Sequence, residues 1–281
     1  MKIGLCLGSG GSRGIAQIGI IEKLIEKGFI ISQVSGASIG ALIGGLYCTG
    51  SLERFKKDLF SMTKREIFSY VDLVFPKSGF IHGKKVMALL ERYIPKGTRI
   101  EDLPIPLAIV ATDYNQGEQV VFRHGDLLLA IRASISIPGI FVPVKYHESI
   151  LVDGGLVNPL PVDLLRTKRK FAVNLYPPVK IKNRKAHNST DVGIMQSKHR
   201  WKLSEMWKKE KEPSVFEILS HTVQIIEHRS TKFSLMKNKP DLLFEPQLLE
   251  LTIMDFTKNK LAYEEGLHCF EKKKRDLSRI R

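Results

Sequence analysis

The sequence predicts an α/β fold in which a mostly parallel sheet carries helices on both faces. Short apolar runs at 3–7, 29–35, 107–110, 150–152 and 171–175 alternate with segments of helical periodicity. Such alternation is the pattern of βαβ units and a parallel sheet. Two of these runs end in glycine-rich turns that pass directly into helical patterns. The chain has 281 residues, 43% of them hydrophobic, enough for one substantial core or at most two small domains.

Taken in order, residues 2–7 read as a buried strand ending in Gly8-Ser9-Gly10-Gly11-Ser12-Arg13-Gly14. A helical pattern over 15–27 follows, with Gly28 as its stop. The second strand leads into Gly36-Ala37-Ser38-Ile39-Gly40, and small and apolar residues up to 48 continue as a tightly packed helix. Segments 51–63 and 84–93 are amphipathic, with Phe55, Leu59, Val86, Leu89 and Leu90 toward the core. Residues 107–110 form an apolar strand ending in Ala111-Thr112-Asp113, and Tyr114-Asn115-Gln116-Gly117 turns it into a short strand at 118–122. A helix over 126–134 stops at Ser136-Ile137-Pro138-Gly139. The strand 150–152 delivers Asp153-Gly154-Gly155 into a turn, 162–165 begins a helix, and 171–175 is a further strand. Residues 178–212 lack periodicity and are polar and basic, so a long, mobile loop is expected. A helix over 215–235 with apolar Phe216, Leu219, Val223 and Ile226, a strand at 241–245 and a helix over 258–274 end the reading. The expected organisation is a catalytic core at 1–176, a basic loop at 177–212, and C-terminal helices with a strand at 213–281 packing on the same domain.

Composition narrows the function. The 44 Lys and Arg outweigh 29 Asp and Glu by 15 charges, an excess that suits an anionic partner. Ten basic residues fall in 180–211 against Asp191, Glu205 and Glu210, and a second basic cluster closes the chain at 272–281. In 198–211 the charges interleave with Trp201, Leu203, Met206 and Trp207, as an interfacial segment requires. Neither an aromatic stacking-strand motif nor a zinc pattern is present, so no nucleic-acid partner is expected. Cys6, Cys48 and Cys269 fit no disulfide framework and no metal-ligand spacing. The run 3–7 is too short for a signal-peptide core, and no stretch of about 18 apolar residues occurs. A cytoplasmic protein, peripheral on the inner membrane face, is expected.

The chemistry is concentrated in the turns. In Gly36-Ala37-Ser38-Ile39-Gly40, a strand and a helix nearly touch on either side of a serine, which requires residues without bulk at 36 and 40. The turn pushes Ser38 Oγ out of the sheet at a helix N-terminus, where the macrodipole favours a developing anion. The loop at 8–14 lacks the Gly-Lys-Ser/Thr of a nucleotide-binding loop, and no acid ends the next strand as a dinucleotide site needs. Its glycine amides would serve equally as an oxyanion hole. For a base, Ser38, Asp153 and His221 occur in the order of an α/β-hydrolase triad, but the nucleophile sits on only the second strand and His221 lies inside a helical pattern. Asp153 ends an apolar strand, and burial would raise its basicity toward that of a useful general base.

Jointly, Ser9-Gly10-Gly11-Ser12-Arg13-Gly14, Gly36-Ala37-Ser38-Ile39-Gly40 and Asp153-Gly154-Gly155, with Ser136-Ile137-Pro138-Gly139 ahead of the last, resemble the patatin-like phospholipase family and its small bacterial members. The resemblance covers residues 2–176 well and the remainder loosely. It implies a three-layer α/β/α patatin-like sheet and a Ser38–Asp153 dyad without histidine, metal or cofactor. Asp153 would take the Ser38 proton, and amides around Gly10 and Gly11, with Arg13 nearby, would hold the oxyanion. Gly14, Gly36, Gly40, Gly154 and Gly155 are the motif glycines. Where the family loop often begins with glycine this chain has Ser9, whose amide is expected to remain on offer. The implied activity is hydrolysis of phospholipid or lysophospholipid esters at an anionic membrane surface. The rival readings are an acyltransferase on the same dyad, although Ile39 after Ser38 disfavours the malonyl-transferase type, and a basic, non-enzymatic membrane or nucleic-acid binding protein retaining the fold.

Overall fold

The computed structural model describes residues 1–70, 79–176, 214–248 and 251–280. Strand β1 (Lys2–Leu7) passes through a 3₁₀ turn (Gly11–Ile15) into α1 (Ala16–Glu26). Then come β2 (Ile30–Ala37), α2 (Ile39–Cys48), α3 (Leu52–Ser61), α4 (Lys64–Ser69), β3 (Gly79–Ile81), α5 (Lys84–Leu90), β4 (Leu107–Asp113) and β5 (Gln119–Phe122). They are followed by α6 (Leu127–Ser134), β6 (Gly139–Phe141), β7 (Val144–Tyr146), β8 (Ser149–Asp153), β9 (Lys170–Val173), α7 (Val215–Lys237), β10 (Leu242–Phe244), α8 (Asn259–Lys272) and α9 (Lys274–Ile280).

The main sheet runs β10-β9-β1-β2-β4-β8-β7. Its first five strands are mutually parallel. The expected hairpin forms, with β5 antiparallel to β4. Strand β8 is also antiparallel to β4, because the tight turn at His147, whose φ is +52°, reverses the chain between β7 and β8. Register then decides where the chemistry sits. Ala37 pairs with Val110, and Ala111 pairs with Asp153. Ser38 and Asp153 therefore emerge side by side on either side of β4, from the two strands that flank it.

Side-chain alternation sorts the sheet into two faces. Ile3, Leu5, Leu7, Phe171 and Val173 enter the large core with α1 and α2. Cys6 and Ala172 face the other way, into a smaller cluster with Leu160, Val162 and Leu165, against which Leu235 of α7 rests. Each fully buried Leu or Ile contributes about 1.5–3 kcal/mol. All three cysteines are buried free thiols; burial pushes the Cys48 thiol up to about 12.

Two local expectations change. Residues 162–165 make only a 3₁₀ turn (Val162–Leu164), after which Leu165 returns to an extended backbone. Helix α7 keeps only part of its expected core stripe, Val223. Ser220, Val223, Gln224, Glu227 and Thr231 face the protein, whereas Leu219 and Ile226 are exposed along with Ile218, Ile225, Phe233 and Met236. The basic stretch 177–212, with Trp201 and Trp207, lies outside the described residues. Among the described residues, no helix is long and apolar enough to cross a membrane.

Candidate active site

The turn between β2 and α2 places Ser38 at φ +54°, ψ −124°, a backbone region that costs a non-glycine residue about 1–3 kcal/mol. Its surroundings enforce this. A Cβ on Gly36 would lie 2.5 Å from the Gly40 carbonyl oxygen, and one on Gly40 would overlap the Leu7 carbonyl. The strand, the turn and β1 thus approach at backbone contact. The Ser38 amide donates to Ser134 Oγ at 2.8 Å, and that hydroxyl donates onward to the Val110 carbonyl at 2.6 Å.

Ser38 Oγ donates to Asp153 Oδ2 at 2.5 Å. Asp153 is wholly buried and held on several sides. Its amide donates to the Ser136 carbonyl, its carbonyl accepts from Thr112 Oγ1, and its Oδ1 accepts from the Gly155 amide at 2.7 Å. Gly154 is pressed against the Val110 carbonyl, where a side chain would clash. Burial raises the Asp153 pKa well above the ordinary aspartate value, the nearby Glu227 carboxyl raises it further, and the Ser38 and Gly155 hydrogen bonds partly offset both. A carboxylate made more basic while touching a serine hydroxyl is suited to take its proton. His221 lies on α7, and among the described residues no histidine hydrogen-bonds to this pair.

The 8–14 loop lies beside the serine. The amides of Gly8, Ser9 and Ser12 are committed to the carbonyls of Val173, Pro159 and Ile253. The Ser9 amide is therefore not on offer, contrary to the expectation from sequence. Among the described residues, nothing accepts from the Gly10 or Gly11 amides. Gly10 adopts φ +153° and Gly11 φ +59°, and Gly11 borders the same cavity as Ser38. Gly14 sits where any side chain would strike Ile39. Arg13 differs from its expected place at the oxyanion. Its buried guanidinium donates through Nε to the Leu251 carbonyl at 2.9 Å and through Nη2 to Gln224 Oε1 at 3.4 Å, and it covers the Tyr176 ring at 5.3 Å. The arginine ties the loop to α7 and to the chain before α8.

The cavity bordered by Ser38 and Gly11 measures about 240 Å³ and is lined by Leu42, Phe55, Leu59, Ile135, Ile137 and Phe141, among others. Its wall is almost wholly hydrocarbon, the environment of an apolar chain. Among the described residues, no cluster of His, Cys, Asp and Glu is arranged to hold a metal.

The family model described as patatin-like phospholipase matches residues 5–166. The chain belongs to the patatin-like phospholipase family. An uncharacterized NTE family protein of Mycobacterium tuberculosis is 41% identical over 161 residues, covering 57% of this chain and 44% of that protein. The lysophospholipase NTE1 of Mycosarcoma maydis is 35% identical over 173 residues, covering 59% of this chain and 9% of that protein. The chain thus spans less than half the length of these relatives. Among solved structures, VipD from Legionella pneumophila aligns with a TM-score of 0.42 and 14% identity, over 96% of this chain and 66% of that one. All three motifs of this patatin-like chain, at 9–14, 36–40 and 153–155, lie within the matched residues.

Sequence reasoning missed Ser134, Tyr176 and Glu227. Ser134 looked like an ordinary helix end. Tyr176 Oη donates to Glu227 Oε2, beside the Asp153 carboxyl, across 51 residues of chain. The one available signal was a polar stripe on α7 (Ser220, Gln224, Glu227, Thr231) at helical spacing, which marks a face turned toward buried partners.

Proposed function

We propose that the chain is a serine lipid acyl hydrolase that cleaves carboxylic esters of phospholipids or lysophospholipids through a Ser38–Asp153 dyad. The observation that carries this is the 2.5 Å Ser38 Oγ–Asp153 Oδ2 hydrogen bond at the end of an apolar cavity. Ser38 Oγ attacks the ester carbonyl while its proton passes to Asp153 Oδ2. The carbonyl oxygen becomes an oxyanion directed at the Gly10 and Gly11 amides and the N-terminus of α2. Collapse breaks the acyl carbon–oxygen bond, and Asp153 returns the proton to the departing alcohol. A water then gives its proton to Asp153 and attacks the acyl-enzyme, releasing fatty acid and restoring Ser38. The acyl chain lies against Leu42, Phe55 and Leu59, each buried methylene contributing about 0.8 kcal/mol.

The exposed face of α7 supports access from a membrane. Ile218, Phe233 and Met236 are 51%, 68% and 85% exposed, and Arg229, Lys232, Lys237 and Lys239 add positive charge along the same helix and its end. Near an anionic surface each such charge contributes about 1 kcal/mol. The test is fatty-acid release from phospholipid and lysophospholipid vesicles with and without anionic lipid, for wild type, Ser38→Ala and Phe233→Glu. Release that needs Ser38, and weakens with Phe233→Glu most strongly on anionic vesicles, is the expected result. Release unaffected by Ser38→Ala overturns the hydrolase reading, and binding to anionic vesicles unchanged by Phe233→Glu overturns the role of α7.

A further inference from the structure

Behind the dyad is a second buried carboxyl that hydrolysis as described above does not use. Glu227 on α7 is 4% exposed. Its Oε2 accepts the Tyr176 hydroxyl. Its Oε1 lies so close to the Gly155 Cα that a methyl group there would overlap it, and the same methyl would lie 3.0 Å from Asp153 Oδ1. The two carboxyls thus flank one glycine with no side chain between them. Gly155 is required for a reason beyond the turn, since any larger residue would part the two acids.

The groups around this pair come from every neighbouring element. From the β2–α2 turn, Ser38 Oγ donates to Asp153. From the segment after β9 comes Tyr176. From the glycine loop comes Arg13, whose guanidinium lies over the Tyr176 ring and reaches Gln224 on α7. On α7 itself His228 follows Glu227, and its pKa is lowered by burial first and by Lys232 second. Asp255, in the chain before α8, acts on Arg13. The charges fall unevenly. The Tyr176 hydroxyl, the Ser9 side chain and, more weakly, Arg13 favour the anion of Glu227, whereas Asp153 is favoured only by the Ser38 and Gly155 donors. Burial raises both acids, and the Glu227 carboxyl raises Asp153 further. Its negative charge makes Asp153 hold a proton more tightly.

We propose that Glu227, held by the Tyr176 hydroxyl and facing Asp153 across Gly155, is a positioning residue for proton transfer from Ser38 to Asp153. The proposal rests on the dyad reading. Without Glu227, Asp153 would still touch Ser38 but would compete less well for its hydroxyl proton. With Glu227 ionised, the proton moves from Ser38 Oγ to a carboxylate whose basicity is closer to the working pH.

The test is the rate at which a fluorophosphonate labels Ser38, followed across pH for wild type, Glu227→Gln and Tyr176→Phe. In this reaction Ser38 Oγ bonds to phosphorus, fluoride leaves and the hydroxyl proton goes to Asp153, so no lipid substrate need be known. Glu227→Gln keeps the shape and an acceptor for Tyr176 while removing the charge. It is expected to move the acid limb of the labelling profile down by about one pH unit and to lower the plateau rate by about three- to tenfold. Tyr176→Phe weakens the Glu227 anion and moves the limb in the same direction by less. If Glu227→Gln does not fold, Tyr176→Phe decides the matter alone. A folded variant with a lower plateau but an unmoved limb overturns the proposal, because loss of packing alone does not change the basicity of Asp153. Wild type that fails to label at Ser38 at any pH overturns the dyad reading instead.

Discussion

Gly36→Ala is the substitution that most directly probes how the fold holds Ser38 in its strained turn. The new Cβ would lie 2.5 Å from Gly40 O, 2.6 Å from Gly40 C and 2.7 Å from Ala41 N, all backbone atoms, where ordinary contact begins near 3.4 Å. Relief requires β2 and α2 to part by about 0.7–0.9 Å. Because no flexible side chain can yield, the cost belongs at the upper end of overpacking, about 2–3 kcal/mol. For a chain of this size that is a fall in Tm of roughly 5–10 °C. The same movement carries Ser38 Oγ off its 2.5 Å contact with Asp153, and a displacement near 1 Å costs about 10²-fold in rate. The control is Gly44→Ala in the interior of α2, where a Cβ meets only side-chain atoms at 3.1, 3.4 and 3.6 Å and gains about 1 kcal/mol of helix propensity. Urea denaturation and fluorophosphonate labelling of the folded protein read both effects. If Gly36→Ala costs no more than Gly44→Ala and labels at the wild-type rate, the steric account of the turn is wrong.

Other consequences follow from the same geometry. Asp153→Asn is expected to abolish hydrolysis and to stabilise the fold in a pH-dependent way. The folded pKa of Asp153 lies above its unfolded value of about 3.9, so the wild type loses stability as pH rises through the folded pKa. The Tm advantage of the variant should be absent near pH 4 and widen toward neutral pH; a constant difference across that range contradicts the buried-acid reading. Ser134→Ala strands the Ser38 amide and should cost about 1–3 kcal/mol in denaturation, and an unchanged urea midpoint would show that the relay is dispensable. In the cavity, each added acyl methylene should raise kcat/KM by about fourfold until the space is filled. Leu42→Trp should bring that plateau to shorter chains, and an unaltered chain-length profile would mean the acyl group lies elsewhere.

What could be read in the sequence and what could not divide along physical lines. The turn at 36–40 was legible because close backbone approach admits only glycine at two fixed offsets from Ser38. The parallel strands were legible because strands buried on both faces are continuously apolar, as at 107–110. Strand direction was not, since an apolar run such as 150–152 has no polarity of its own; the reversal of β8 comes from a turn at His147 that carries no glycine. The face of α7 was only partly legible because Leu219 and Ile226 have the spacing of a core stripe, while much of the inward face is determined by partners distant in sequence, Tyr176 for Glu227 and Arg13 for Gln224. Arg13 and Ser9 sit in the predicted loop, but which amides stay available depends on the carbonyls of Pro159 and Ile253, which no local motif encodes.

The dyad is tested most directly by hydrolysis of a p-nitrophenyl ester series by wild type, Ser38→Ala, Asp153→Asn and His221→Ala, each shown to be folded. The account predicts that activity is lost in the Ser38 and Asp153 variants and kept in His221→Ala. Loss in His221→Ala as well, or activity surviving Asp153→Asn, would contradict it.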